Sequence, residues 1–209
     1  MKTDDWIAVL AHPAAQTAST WRQTERFWLP LGVISALLLC AVFWSVDPRW
    51  PDWLGSWPYA FKAGVALTLA WGAWVIWRRL LSPTQKQLPV LLSLAMFWAA
   101  VVLAGLLLPA HDTAGSDIWQ GTWRQCVPSI VLLGAPVWLA LWRVAKHQAP
   151  VHLRTTGAAM GAVAGGVGAV VYSLHCPEFA PMFIVVWYGA GIAVSVLLSA
   201  WLAPKLLRW

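Results

Sequence analysis

Two of the three cysteines, Cys126 and Cys176, sit among residues able to bind or react. Cys176 lies in the run Leu174-His175-Cys176-Pro177-Glu178, and Cys126 opens the stretch Cys126-Val127-Pro128. A thiolate is both a nucleophile and a soft ligand, and imidazole beside it suits soft or borderline ions such as zinc, copper or cadmium. The metal-ligating candidates are therefore His175, Cys176, Glu178 and Cys126. Neither a C-x-x-C nor an H-x-x-x-H spacing is present, so transient capture is expected rather than a resident cofactor. In an oxidising compartment the same two thiols could form a disulfide, provided their Cα atoms come within about 4.4–6.8 Å. Three readings stand side by side: a static staple, a pair that responds to oxidant or metal, and two inert thiols. Cys40, inside an apolar stretch, reads as a small buried residue. No phosphate-binding loop, nucleophile elbow or metalloprotease motif accompanies them, so no enzyme is expected.

The elements that must position these thiols are membrane helices. The 209-residue chain is 60% hydrophobic and 11% charged, against about a quarter charged for an ordinary soluble domain. A bilayer accommodates such a surface because lipid replaces the polar exterior. Six stretches approach the roughly 20 apolar residues that a span requires: Phe27–Val46, Tyr59–Trp77, Leu88–Ala110, Val127–Trp142, Gly157–Leu174 and Met182–Ala203. The fourth is short and carries Pro128 and Pro136, which predicts an earlier start or a kink. The expected fold is an all-α, polytopic six-helix bundle: a segment 1–26 followed by a transmembrane unit 27–209. The connections hold no room for a folded soluble domain.

Lys and Arg set the orientation. With the N-terminus in the cytoplasm, Lys2, Arg22, Arg26, Arg78, Arg79, Lys86, Arg143, Lys146, Arg154, Lys205 and Arg208 fall inside, and Arg49, Lys62 and Arg124 outside. Asp47, Asp52, Asp112, Asp117 and Glu178 fall outside as well. Both ends are then cytoplasmic, in a bacterial inner membrane, and Cys126 and Cys176 face the oxidising side. The net charge of +6 is a topology signal aimed at lipid headgroups, not at nucleic acid. The 18 Trp residues fall largely at the two headgroup layers.

Span five repeats Gly157, Gly161 and Gly165 at four-residue spacing, a groove that admits another backbone. Packing within the chain is the plainer reading, with a homodimer through the same face as the other. Lys62, one turn from the outer end of its span, is expected to snorkel to the headgroups. The N-terminal segment reads as a short amphipathic helix. Thr3 is its cap, Asp4 and Asp5 lie where the helix dipole favours acids, and Trp6, Ile7 and Leu10 share a face. So short a helix orders only against a surface. Its acids favour a protein groove over anionic lipid.

These features resemble one family, the NrsF-type anti-sigma factors. The resemblance rests on Lys2-Thr3-Asp4-Asp5, Cys126-Val127-Pro128, Ala149-Pro150, the glycines of span five, Leu174-His175-Cys176-Pro177-Glu178, Trp187-Tyr188-Gly189 and Leu206-Leu207-Arg208-Trp209. It implies a negative regulator of transcription at the inner membrane, restraining an extracytoplasmic-function sigma factor of the sigma-F type. It implies that the N-terminal segment, through Asp4, Asp5, Trp6, Ile7 and Leu10, holds that factor. It further implies that Cys126 and Cys176 sense thiol-reactive heavy metals or oxidative stress. Ala203-Pro204-Lys205 departs from the family's Gly-rich approach to the last helix end. Two other classes compete: a small transporter or permease subunit, and a structural membrane partner of a larger complex. The absence of buried acids and of an inverted repeat weighs against transport.

Overall fold

The computed structural model describes residues 23–81, 119, 121–148, 150 and 152–207. Five helices among them are long and apolar enough to cross a membrane. They are α1 (Gln23–Trp44), α2 (Trp57–Leu80), α3 (Trp123–Lys146), α4 (Leu153–Tyr172) and α5 (Pro181–Leu206). They coincide with the first, second, fourth, fifth and sixth expected spans. The third, Leu88–Ala110, lies outside the described residues, as do Asp4, Asp5, Trp6, Ile7 and Leu10 of the N-terminal segment.

Local chemistry explains several boundaries. Ser56 caps α2, its hydroxyl accepting the Tyr59 N–H at 3.4 Å, with a proline in the first turn. α1 is already helical at Gln23, ahead of the expected Phe27, and Glu25 is buried against α2 rather than free in a tail. α3 starts at Trp123, ahead of the expected Val127, and runs through Pro128 and Pro136. Neighbouring helices can satisfy backbone groups that a proline leaves open in a membrane helix. α1 and α5 each contain a π-helical turn, at Cys40–Trp44 and Ile184–Tyr188. Such turns recur at functional sites, and both lie at the end of the bundle that carries Cys126 and Cys176.

α4 is the central helix and packs on α2, α3 and α5. Its small residues decide this, because apolar burial alone draws no helices together in lipid and close van der Waals packing must do so. Gly157, Gly161 and Gly165 all face α5 of the same chain, meeting Ser199 and Ala203, Ser195 and Val196, and Ser195 and Ile192 respectively. Gly166 meets Ala70 of α2, and Gly168 meets Ile130 and Gly134 of α3. α1 joins through Gly32, which lies against Pro136, Val137 and Ala140 of α3. The buried Ser199 hydroxyl is satisfied across helices: it donates to the Gly157 carbonyl and accepts from Trp138 Nε1 at 2.6 Å.

α1 and α4 run one way and α2, α3 and α5 the other, so their charged termini sort to opposite ends. Arg78, Arg79, Arg143, Lys146, Arg154 and Lys205 gather at one end. Several lie on indole rings: Arg78 on Trp74, Arg143 on Trp28 and Lys205 on Trp201. The opposite end carries the thiols, Lys62 and the aromatic cluster Trp119, Trp123 and Trp187.

Candidate functional site

The site is built where α3 begins and where α4 turns into α5. Cys126 lies in the first turns of α3, and Cys176 lies in the connection that follows α4. Both are fully buried. Thr122, immediately before α3, joins them: its Oγ1 lies 3.8 Å from Cys126 Sγ and 3.5 Å from Cys176 Sγ. Cys126 Sγ also lies 3.3 Å from the Thr122 carbonyl and 3.8 Å from the Tyr172 hydroxyl. Both thiols are unlinked and lie side by side. Cys40 is also buried, but its thiol points to the Val171 carbonyl at 3.7 Å, away from the pair.

Lys62 corrects the sequence reading. Expected to reach outward, it is 0% exposed. Its ammonium turns inward and donates to the carbonyl oxygens of Cys176, at 2.6 Å, and Glu178, at 3.0 Å. It also lies over the rings of Phe179 and Tyr188, at 5.1 and 5.3 Å. Two carbonyl dipoles and two π faces take the place of water around the charge, since an unsolvated cation is costly unless hydrogen-bonded. Among the described residues no carboxylate forms an ion pair with it. The connection after α4 supplies the two carbonyl acceptors that the side chain takes up.

Electrostatics distinguish the cysteine in the connection. The Cys176 thiol is held below the ordinary thiol range. The hydrogen bond from Cys126 is the main cause, helped by the Lys62 charge, the Thr122 hydroxyl and the Glu178 backbone N–H, and together these outweigh burial. The Glu178 carboxyl is held above its usual range by burial and by Cys176, with Lys62 opposing. Its side chain lies against Gly121, whose φ of 65° and lack of a Cβ leave room for it.

The structure brings Cys126 and Cys176 together but does not draw His175 into a ligand set. The His175 ring meets the Ser45 carbonyl at 2.9 Å and lies against the Tyr172 ring. Among the described residues, no three of His, Cys, Asp and Glu converge to hold a metal ion. The arrangement suits two-thiol chemistry: disulfide formation, or reaction with a thiol-reactive species. Sequence reasoning missed Thr122 and Tyr172. The i−4 spacing of Thr122 from Cys126 along a helix was the available signal.

A second polar cluster lies at the opposite end, and the sequence reading assigned it no role. Glu25 of α1, buried close to the first described residue, accepts from Trp74 Nε1 at 2.8 Å and pairs with Arg78 at 3.6 Å. Its signal was an acid at the root of a span whose neighbours are basic.

Comparison with known proteins gives the family. The family described as negative regulators of sigma F matches residues 9–209. A probable anti-sigma-F factor NrsF of Azospira oryzae is 33% identical over 213 residues, covering 100% of both chains. The anti-sigma-F factor NrsF of Caulobacter vibrioides is 31% identical over 215 residues, again covering 100% of both. No solved structure matches.

Proposed function

The chain belongs to the NrsF family of negative regulators of sigma F, and from that premise we propose that it is a membrane anti-sigma factor switched by its two neighbouring thiols. The regulated partner is a sigma factor of the extracytoplasmic-function type. It is held at the inner membrane by the N-terminal segment, with Trp6, Ile7 and Leu10 as apolar contacts and Asp4 and Asp5 as polar ones. Both chain ends lie in the cytoplasm and the thiols face the periplasm, following the charge bias of the connections.

The observation that carries this reading is the burial of Cys126 and Cys176 side by side, sharing Thr122. Each belongs to a different packed element, one to α3 and the other to the connection between α4 and α5. A bond between them, or attack on either by a thiol-reactive ion or oxidant, must move those elements relative to one another. Packed helix interfaces respond to such a change by switching between discrete arrangements.

The test is co-purification. The detergent-solubilised full chain should retain a bound sigma factor, and oxidant or cadmium should release it only when both cysteines are present. Retention of no sigma factor would sink the anti-sigma role. Release that persists after Cys126→Ser and Cys176→Ser would sink the thiol switch alone.

A further inference from the structure

The polar contacts of α2 are concentrated at its two ends. At one end Lys62 holds the connection that carries Cys176, through the carbonyls of Cys176 and Glu178. At the other, Trp74 and Arg78 hold Glu25 of α1. Between them α2 is continuous helix without an internal proline, so Lys62 and Trp74 are separated by about 18 Å along the axis. The middle of α2 packs on α4 through Ala70 and Gly166. It is thus a rigid element with one grip on the thiol site and one on the root of the N-terminal segment.

We propose that α2 is the lever of the switch, with Lys62 and Glu25 as positioning residues: Lys62 transfers displacement of the Cys176 connection to α2, and Glu25 transfers it to the base of α1. This inference rests on the thiol-switch reading of the preceding section.

Three features make Lys62 a coupling residue rather than a passive filler. Both its hydrogen bonds end on main chain of the connection, so a side-chain rotation there does not release it. Its charge is fully buried, so losing either carbonyl leaves a donor unsatisfied and the helix must follow the loop to keep it. Tyr188, whose ring it touches, belongs to the π-helical turn of α5, so the same residue also meets α5. At the receiving end the Glu25 carboxylate is almost fully buried, with one oxygen toward each partner. Movement of α2 along its axis cannot preserve both contacts unless α1 moves as well.

Amide hydrogen exchange on the full chain in nanodiscs tests this. Diamide oxidises the Cys126 and Cys176 thiols to a disulfide and takes up their two hydrogens as the hydrazine. In the wild type, exchange at residues 23–28 should then change by about 5-fold or more, the lower bound of ordinary coupling between two sites. In Lys62→Met the thiols should still oxidise, by mass, while exchange at 23–28 stays unchanged. Trp74→Phe, which keeps the ring packing and removes only the donor, should give the same loss should Lys62→Met fold poorly. An unchanged wild type, or a change of equal size in both variants, would overturn the lever. If Cys126→Ser with Cys176→Ser responds to diamide like the wild type, the thiol-switch reading itself fails instead.

Discussion

Lys62 Nζ and the Cys176 carbonyl oxygen lie 2.6 Å apart, so the charge on α2 and the thiol-bearing connection are one structural unit. Removing the charge leaves the carbonyls of Cys176 and Glu178 without this donor. Unsatisfied buried acceptors cost about 1–3 kcal/mol each, so Lys62→Met should lower the unfolding free energy by about that amount or more. Urea titration in mixed micelles reads it. A variant as stable as the wild type would mean that the ammonium contributes nothing to holding the connection.

The glycines of α4 give a contrast between two alanine substitutions. At Gly161 an added Cβ would meet the Ser195 carbonyl and the Val196 backbone. Overpacking of this kind costs about 1–3 kcal/mol. At Gly64, on α2, an added Cβ meets nothing within 4 Å, and alanine in a helix interior gains about 0.5–1 kcal/mol over glycine. Gly161→Ala should therefore lower the unfolding midpoint and Gly64→Ala should raise it slightly. Equal effects would refute close packing of α4 on α5.

Glu178 makes a prediction about pH. Its carboxyl is held above the usual glutamate range, chiefly by burial. The folded chain thus holds that proton more tightly than the unfolded chain does. Its contribution to stability is complete below the unfolded value and is lost as pH rises through the folded one. The midpoint of Glu178→Gln should exceed that of the wild type near neutrality, with the gap closing as the pH falls through the carboxylate range. A gap that widens on acidification would reverse the assignment.

In cells, deletion of residues 2–12 should raise transcription of the sigma-dependent genes without any inducer, as read by a promoter fusion. Cys126→Ser combined with Cys176→Ser should leave that uninduced level low and abolish induction by cadmium or peroxide. Induction that survives the double change would leave the pair as a static staple.

Sidedness is tested by labelling. In intact spheroplasts under mild denaturant, an impermeant maleimide should reach Cys176 from outside, whereas a reporter fused to the N-terminus should be active only in the cytoplasm. The opposite pattern would invert the bundle and remove the periplasmic trigger.

The sequence by itself determined that the chain carries helices long and apolar enough to cross a membrane, roughly where the described ones lie, and the sorting of charge between helix ends, and it singled out Cys126 and Cys176 as the thiols to compare. These are one-dimensional quantities: length, hydropathy, charge along the chain and residue type. The small-residue face of α4 was legible for the same reason, since spacing of four places Gly157, Gly161 and Gly165 on one side of a helix. Which helix that face meets was not legible, and only the tertiary structure assigns it to α5. The earlier start of α3 was legible as one of two alternatives, and only the tertiary structure fixes it at Trp123, with neighbouring helices present to support Pro128. Lys62 shows the limit most clearly. A lysine one turn from a headgroup layer is expected to reach outward, and its inward turn depends on two carbonyls more than a hundred positions away in the chain. The convergence of Thr122 on both thiols, and of Trp74 and Arg78 on Glu25, was decided in the same way. Hydrogen bonds between distant segments leave no periodic trace in a sequence, because they are set by how helices dock and not by how each one forms.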